Sequence, residues 1–279
     1  YTTIQAAINA ACPRDTIEVY SGPYNEHVVV NKTLTLQGID TGSGLPVVNA
    51  GGSGYAITIS ADGCTVEGFE ARNSGSAWPC AGIHVTSKGN IISDNTASKN
   101  KWDGISLNNS NGNMISDNTL TNNGASGIYL QSSNNNAIEN NTATGNGHNG
   151  IKLSPCQNNT ISANIASHNN AWGIYLVQSS DNTVWDNAAN DNGQTGIFIE
   201  DNSNYNIIND NTASSNDENG INLDSSSNNN ISSNDATDNS ESGIRLDSAS
   251  GNTISDNTAS GNGIAGIWLA SSSSNAILG

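Results

Sequence analysis

The 279-residue chain is 34% hydrophobic, 5% aromatic and only 12% charged, and its 25 Asp and Glu outnumber 8 Lys and Arg to give a formal net charge of -17. That balance argues against a surface for nucleic acid or anionic lipid, both of which are met by Lys and Arg. No apolar run approaches the ~20 residues that cross a bilayer as a helix, and the apolar content is thin for a compact core.

The chain opens on a helical phrase. In residues 3–11, Ile4, Ala7, Ile8 and Ala11 share one face, with Thr2 or Thr3 placed to cap the start. So short a helix is marginal alone, and its expected place is over the open end of the structure that follows. Short runs with period-two alternation come next, at 16–20, 27–30, 33–37, 46–48, 55–59 and 64–69, with loops near 39–45 and 73–81. They read as strands.

From residue 82 onward one phrase recurs. Gly-Ile stands at Gly82, Gly104, Gly127, Gly150, Gly173, Gly196, Gly220, Gly243 and Gly266, in steps of 22 to 24 residues. Each period carries a second aliphatic anchor, such as Ile115, Ile138 and Ile161, and a small third one, such as Ala143 and Ala166. Three short strands in about 23 residues make one turn of a coil that cannot bury its apolar side alone, so neighbouring coils must stack. The expected fold is all-β: a parallel β-helix with an N-terminal cap at 1–14, irregular first coils at 15–81 and regular coils at 82–279, forming one solenoid domain.

The corners are asparagine. One file runs Asn95, Asn118, Asn141, Asn164, Asn187, Asn211, Asn234 and Asn257. Two others run from Asn90 to Asn275 and from Asn100 to Asn262. A turn alone would also accept Gly, Asp or Ser. Strict Asn implies amide ladders between coils about 4.8 Å apart.

Outward positions form columns. The first reads His84, Ser106, Tyr129, Lys152, Tyr175, Phe198, Asn222, Arg245 and Trp268, in which Tyr129, Tyr175, Phe198 and Trp268 offer aromatic faces for sugar rings. The next holds Glu200, Asp224 and Asp247. Stacked carboxylates repel, so either Arg245 neutralises them or a hard cation such as Ca2+ bridges them.

Of the four cysteines, Cys156 lies three coils beyond Cys80, roughly 14 Å at about 4.8 Å per coil, too far for a bridge. Disulfide pairing is therefore expected among Cys12, Cys64 and Cys80, with Cys12 to Cys64 favoured.

The run Thr3-Ile-Gln-Ala-Ala-Ile, Asp15-Thr-Ile-Glu-Val, Gly22-Pro-Tyr-Asn-Glu and Val28-Val-Val-Asn-Lys-Thr-Leu-Thr-Leu-Gln-Gly, followed by Gly-Ile and Asn-x-Ile-Ser-x-Asn coils, resembles right-handed parallel β-helix proteins of the NosD-like and pectin-lyase-like group. The resemblance covers essentially the whole chain and implies an extracytoplasmic protein. It implies no copper role, since Met114 and four scattered His are the only soft ligands beside Cys.

The strict repetition leads to a non-catalytic secreted or cell-surface solenoid, structural or adhesive. Its partners are expected to be itself end to end, other surface proteins, or glycan along the aromatic wall. Tyr1 in place of Met is consistent with a removed leader, and the run 275–279 stops without a capping helix. The alternative is a lyase, epimerase or hydrolase of the pectin-lyase-like group using Arg245 with Glu200, Asp224 and Asp247.

Overall fold

Residues 1–278 are described by a computed structural model; Gly279, the end of the run noted above, lies outside the described residues. The alternating segments stack in parallel as a right-handed β-solenoid of about eleven coils. Sheet A has 12 strands, from Thr16–Tyr20 to Ala276–Leu278, and sheet C has 11, from Val28–Val30 to Ala265–Ala270. Like pairs with like: Ile105, Ile128, Ile151 and Ile174 follow one another in register, as do their outward neighbours Ser106, Tyr129, Lys152 and Tyr175. The Ile and Leu on either side of each outward residue are buried, so the core is a narrow aliphatic shaft along the axis.

Sheet B departs from the expectation of three strands in every coil. It has six strands and ends at Thr142–Thr144, beyond which Ile165, Ala188, Thr212, Asp235 and Thr258 are joined by single bridges. Side chains intercept the next backbone donor there. Asn190 N–H donates to Ser167 Oγ at 3.1 Å, Ser214 N–H to Asn190 Oδ1 at 2.8 Å and Thr237 N–H to Ser214 Oγ at 3.3 Å. Polar side chains that reach backbone groups compete with regular pairing.

The asparagine files are ladders. Each Oδ1 accepts both the backbone N–H and the Nδ2 of the preceding Asn, as from Asn95 to Asn118 and from Asn164 to Asn187. Most Nδ2 groups also donate to a buried backbone carbonyl, such as that of Asn164 to Ile138 O at 2.8 Å. A fourth file was not foreseen. Ser110 N–H donates to Ser133 Oγ, Ser133 N–H to Cys156 Sγ, Cys156 N–H to Ser179 Oγ and Ser179 N–H to Ser203 Oγ.

The repeated glycine answers to crowding. A Cβ on Gly150 would stand 2.7 Å from Gly173 O and 2.8 Å from Ala166 Cβ, closer than any Cβ tolerates.

The helix Ile4–Ala10 covers the N-terminal coil with Ile4 and Ile8 buried, and Thr3 Oγ1 accepts from Ala6 N–H as its cap. Charges secure both ends. Glu26 accepts from the N–H groups of Ile4 and Gln5 at 2.8 and 3.0 Å, and Lys32 Nζ donates to the carbonyls of Ile8, Asn9 and Ala11. This matches the partial charges of a helix's ends.

The disulfide expectation is corrected: all four cysteines are free. Cys64 is consumed by the shaft, where its Sγ lies 3.3 Å from Lys32 O and 3.2 Å from Ala61 O, while Cys12 is exposed beyond the helix and Cys80 is buried in the 73–81 loop.

Candidate active site

The outward face of sheet C carries the expected aromatic and carboxylate residues and Arg245, but it groups them differently. Arg245 pairs with Asp247 at 2.9 Å and with Glu241 at 3.6 Å. Glu200 instead receives the hydroxyl of Tyr175, so Glu200, Asp224 and Asp247 do not converge. Among the described residues no three His, Cys, Asp or Glu are disposed to hold a metal ion, and the carboxylate file proposed for Ca2+ is corrected accordingly.

The aromatic candidates are not equivalent. Tyr175 is only 7% exposed, with the Phe198 ring stacked at 5.4 Å, Trp172 packed at 4.4 Å and Lys152 Nζ 5.1 Å from its centroid. In-register aromatics one coil apart cover each other, so Tyr175 has no open face, whereas Tyr129 and Phe198 are half-buried. Trp268 is exposed, on the terminal coil, apart from the others.

A different cluster forms three coils nearer the N-terminus. Asp103, Ser126 and Asn149, each immediately before a repeat glycine, lie in consecutive coils and are nearly inaccessible. Ser126 N–H donates to Asp103 Oδ1 at 2.9 Å, and Asn149 Nδ2 donates to Ser126 Oγ at 3.1 Å. With Tyr129, His148, Lys152 and Ala125 they line a cleft of about 130 Å³, bounded toward the N-terminus by Trp78 and Trp102. Asn149 Oδ1 is buried and has no partner. An orphaned buried amide atom is costly, and here it represents unused binding capacity in a cleft wall.

Trp78 is set by an insert. From Ser74 to Gly82 the chain takes eight steps where Asn100 to Gly104 takes four. The insert is pinned by Ser74 N–H to Asn100 Oδ1 at 3.1 Å, by Ser74 Oγ to Cys80 O at 3.2 Å and by Trp102 Nε1 to Ser76 O at 2.9 Å.

The cleft holds opposed ionisable groups. Burial pushes the Asp103 carboxyl up to about 7, against the pull of the Ser126 N–H and the Lys152 charge. Burial lowers Lys152 from its ordinary value, while Asp103 and Glu200 act the other way. Tyr129 is raised by burial and by Asp103, so its hydroxyl keeps its proton. Lys152 Nζ lies 5.5 Å from the Tyr129 ring centroid, between two aromatic neighbours. Beside the cleft, His84 is stacked on Tyr55 at 4.1 Å and shares a 2.8 Å hydrogen bond with Ser106 Oγ.

Sequence reasoning missed Asp103, Ser126, Asn149 and His148 because columns were read after Gly-Ile. The column just before it, Asp103, Ser126, Asn149, Trp172, Thr195, Asn219 and Ser242, changes at almost every coil and was the available signal.

The family model described as "Right handed beta helix region" matches residues 81–222 and 178–279. The chain therefore belongs to the right-handed β-helix family. No curated protein matches the sequence. Among solved structures, the Azotobacter vinelandii mannuronan C-5 epimerase AlgE6 A-module aligns with TM-score 0.70 at 18% identity, over 98% of this chain and 94% of that one. The periplasmic alginate epimerase AlgG aligns with TM-score 0.67 at 15% identity, over 100% and 82%. A Paenibacillus alginate lyase aligns with TM-score 0.64 at 13% identity, over 96% and 95%.

At these identities the likeness is one of fold. That fold is shared over nearly the whole chain with alginate epimerases and an alginate lyase, which overturns the expectation that a strictly repetitive solenoid is a non-catalytic structural or adhesive element. Regular repetition along most of a chain leaves room for one irregular patch, and the cleft is such a patch.

Proposed function

We propose that the protein acts on an acidic polysaccharide, abstracting the C5 proton of a uronate ring bound in the Asp103 cleft. The observation that carries this reading is Asp103 itself, a buried carboxyl pushed up to about 7, so that a large share of it still holds its proton at neutral pH, beside Lys152 and the unpartnered Asn149 Oδ1. A carboxylic acid that holds its proton can donate to a substrate carboxylate. With Lys152 it draws charge from that carboxylate and acidifies the adjacent C–H.

His148 then takes the C5 proton, as imidazole commonly does in general-base catalysis. The resulting carbanion has two exits. If the C4–O4 bond breaks, C4=C5 forms and Tyr129 O–H protonates the departing oxygen. If the bond holds, Tyr129 O–H returns a proton to the opposite face of C5, inverting it. In either case His148 then gives its proton up to solvent and solvent restores that of Tyr129, so both groups return to their starting forms. Hydrolysis is disfavoured because it ordinarily needs two carboxyl groups across the bond, whereas Asp103 is the one carboxyl lining the cleft.

The distribution of charge supports the reading. Residues 82–180 carry four Lys and four acidic residues, so the stretch holding the cleft is neutral within a strongly acidic chain. The fold likeness to alginate epimerases and a lyase agrees with a polyuronate substrate and, through the periplasmic relative, with an extracytoplasmic location. No helix among the described residues is long and apolar enough to cross a membrane.

The test is incubation with polymannuronate, polyguluronate, polygalacturonate and a neutral glucan, following unsaturated-uronate absorbance and the C5 configuration by NMR. Conversion of a polyuronate but not the glucan is expected, with at least a hundred-fold loss in Tyr129→Phe and His148→Ala. Unchanged polyuronates throughout would reject the proposal.

A further inference from the structure

We infer that the cleft is an end-binding pocket, receiving the terminal unit of an acidic glycan rather than an internal stretch of it. This deepens the reading above and rests on it for the identity of the ligand. Three independent features lead there.

The first is size. At about 130 Å³ the cleft is well below the ~300–1,000 Å³ of ordinary ligand sites, so it encloses one unit and leaves the rest outside. The second is steric. The 73–81 insert, pinned at Ser74 and Ser76, stands Trp78 at the N-terminal rim, and Trp78 is 59% exposed, so it projects as a wall. The third is electrostatic. Residues 181–279 carry 14 acidic residues and Arg245 as their single Lys or Arg. On the sheet C side these include Glu200, then Glu218 and Asp224, then Glu241 and Asp247, with Arg245 already engaged by Asp247 and Glu241.

Glu200 lies two coils from Lys152, about 10 Å at ~4.8 Å per coil. That is comparable to the ~8 Å Debye length at physiological salt, so a polyanion continuing toward the C-terminus meets repulsion that water does not fully screen. A chain blocked at one rim and repelled at the other binds by its end.

The experiment measures, by calorimetry, binding of oligouronates of four to twenty units to the Tyr129→Phe variant, in which turnover is slowed, and to the unaltered protein. End binding gives a molar dissociation constant that is independent of length. A molar affinity rising in proportion to length, as internal sites multiply, would overturn the inference.

Glu200→Gln, Asp224→Asn and Asp247→Asn combined with Trp78→Ala open both rims and should bring length dependence, with affinity for the twenty-unit chain rising about five-fold over that for the four-unit chain. A combined variant whose affinity stays flat would remove both rim arguments and overturn the inference. Length-independent binding with no conversion of any polyuronate leaves end binding in place and sinks the catalytic reading. Absence of binding at every length sinks both.

Discussion

Asn118 donates both its backbone N–H, at 3.0 Å, and its Nδ2, at 2.9 Å, to the single Oδ1 of Asn141. Asn141 Nδ2 in turn donates to Ile115 O, Glu139 O and Asn164 Oδ1. One side chain thus satisfies donors of the coil before it and acceptors around it, and no other residue type offers both functions at that length. Asn141→Ala leaves several buried groups unpaired, each costing about 1–3 kcal/mol; with local relaxation the expected loss is about 3 kcal/mol. Asn141→Asp keeps the acceptor but aims a carboxylate at two carbonyls and an amide oxygen, so it should be the worse variant at pH 7 and recover toward pH 4. Urea midpoints for the two variants at both pH values check this.

The ladders and the shaft were legible because they recur, and recurrence at 22 to 24 residues is visible without coordinates. Two things were not legible. In-register stacking hides the faces of Tyr175 from solvent, and an outward column says nothing about what each ring rests on. The cleft is built from the positions that do not recur, so Asp103 takes its meaning only from the Lys152 and Asn149 placed around it.

The repeat glycines admit a direct trial. Gly150→Ala brings a methyl carbon to 2.7 Å from Gly173 O, with backbone on one side and Ala166 on another. Overpacking of this kind costs roughly 1–3 kcal/mol. The contacts lie between coils, so the loss should appear as faster amide exchange in the flanking strands Ile151–Ser154 and Ile174–Val177. Unaltered exchange there would mean that the coils separate more easily than their geometry implies.

Thiol chemistry tests the corrected cysteine assignment. Cys12 is exposed and unbridged, whereas Cys64 and Cys156 are buried and burial raises both thiols, Cys156 to about 11. A thiolate is the reactive form. A chromogenic disulfide reagent should therefore titrate one thiol in the native protein and four in denaturant without reductant. Two titratable thiols in denaturant would restore a bridge. Cys156→Ser should be nearly neutral, since Ser fills that file in adjacent coils and accepts the Ser133 N–H equally well.

The two perturbed groups near the cleft give the stability profile opposing slopes. Asp103 has its folded value raised from 3.8 to about 7, so between those values the folded state binds the extra proton, and stability falls as pH rises until it levels above about 7. At 1.36 kcal/mol per unit this amounts to about 4 kcal/mol as a ceiling. His84 is lowered from 6.5 to about 4 by burial, so between those values the unfolded state binds the extra proton, and stability rises with pH, by about 3 kcal/mol as a ceiling. Asp103→Asn keeps an acceptor for the Ser126 N–H and cannot ionise. It should therefore match the unaltered protein at pH 4, exceed it by a few kcal/mol at pH 8, and expose the rising His84 slope in between. His84→Gln should expose the opposite, falling slope, and the double variant should retain neither of these two slopes. If Asp103→Asn gains nothing at pH 8, Asp103 is ionised in the native cleft at neutral pH, and the donor assigned to the substrate carboxylate is lost with it.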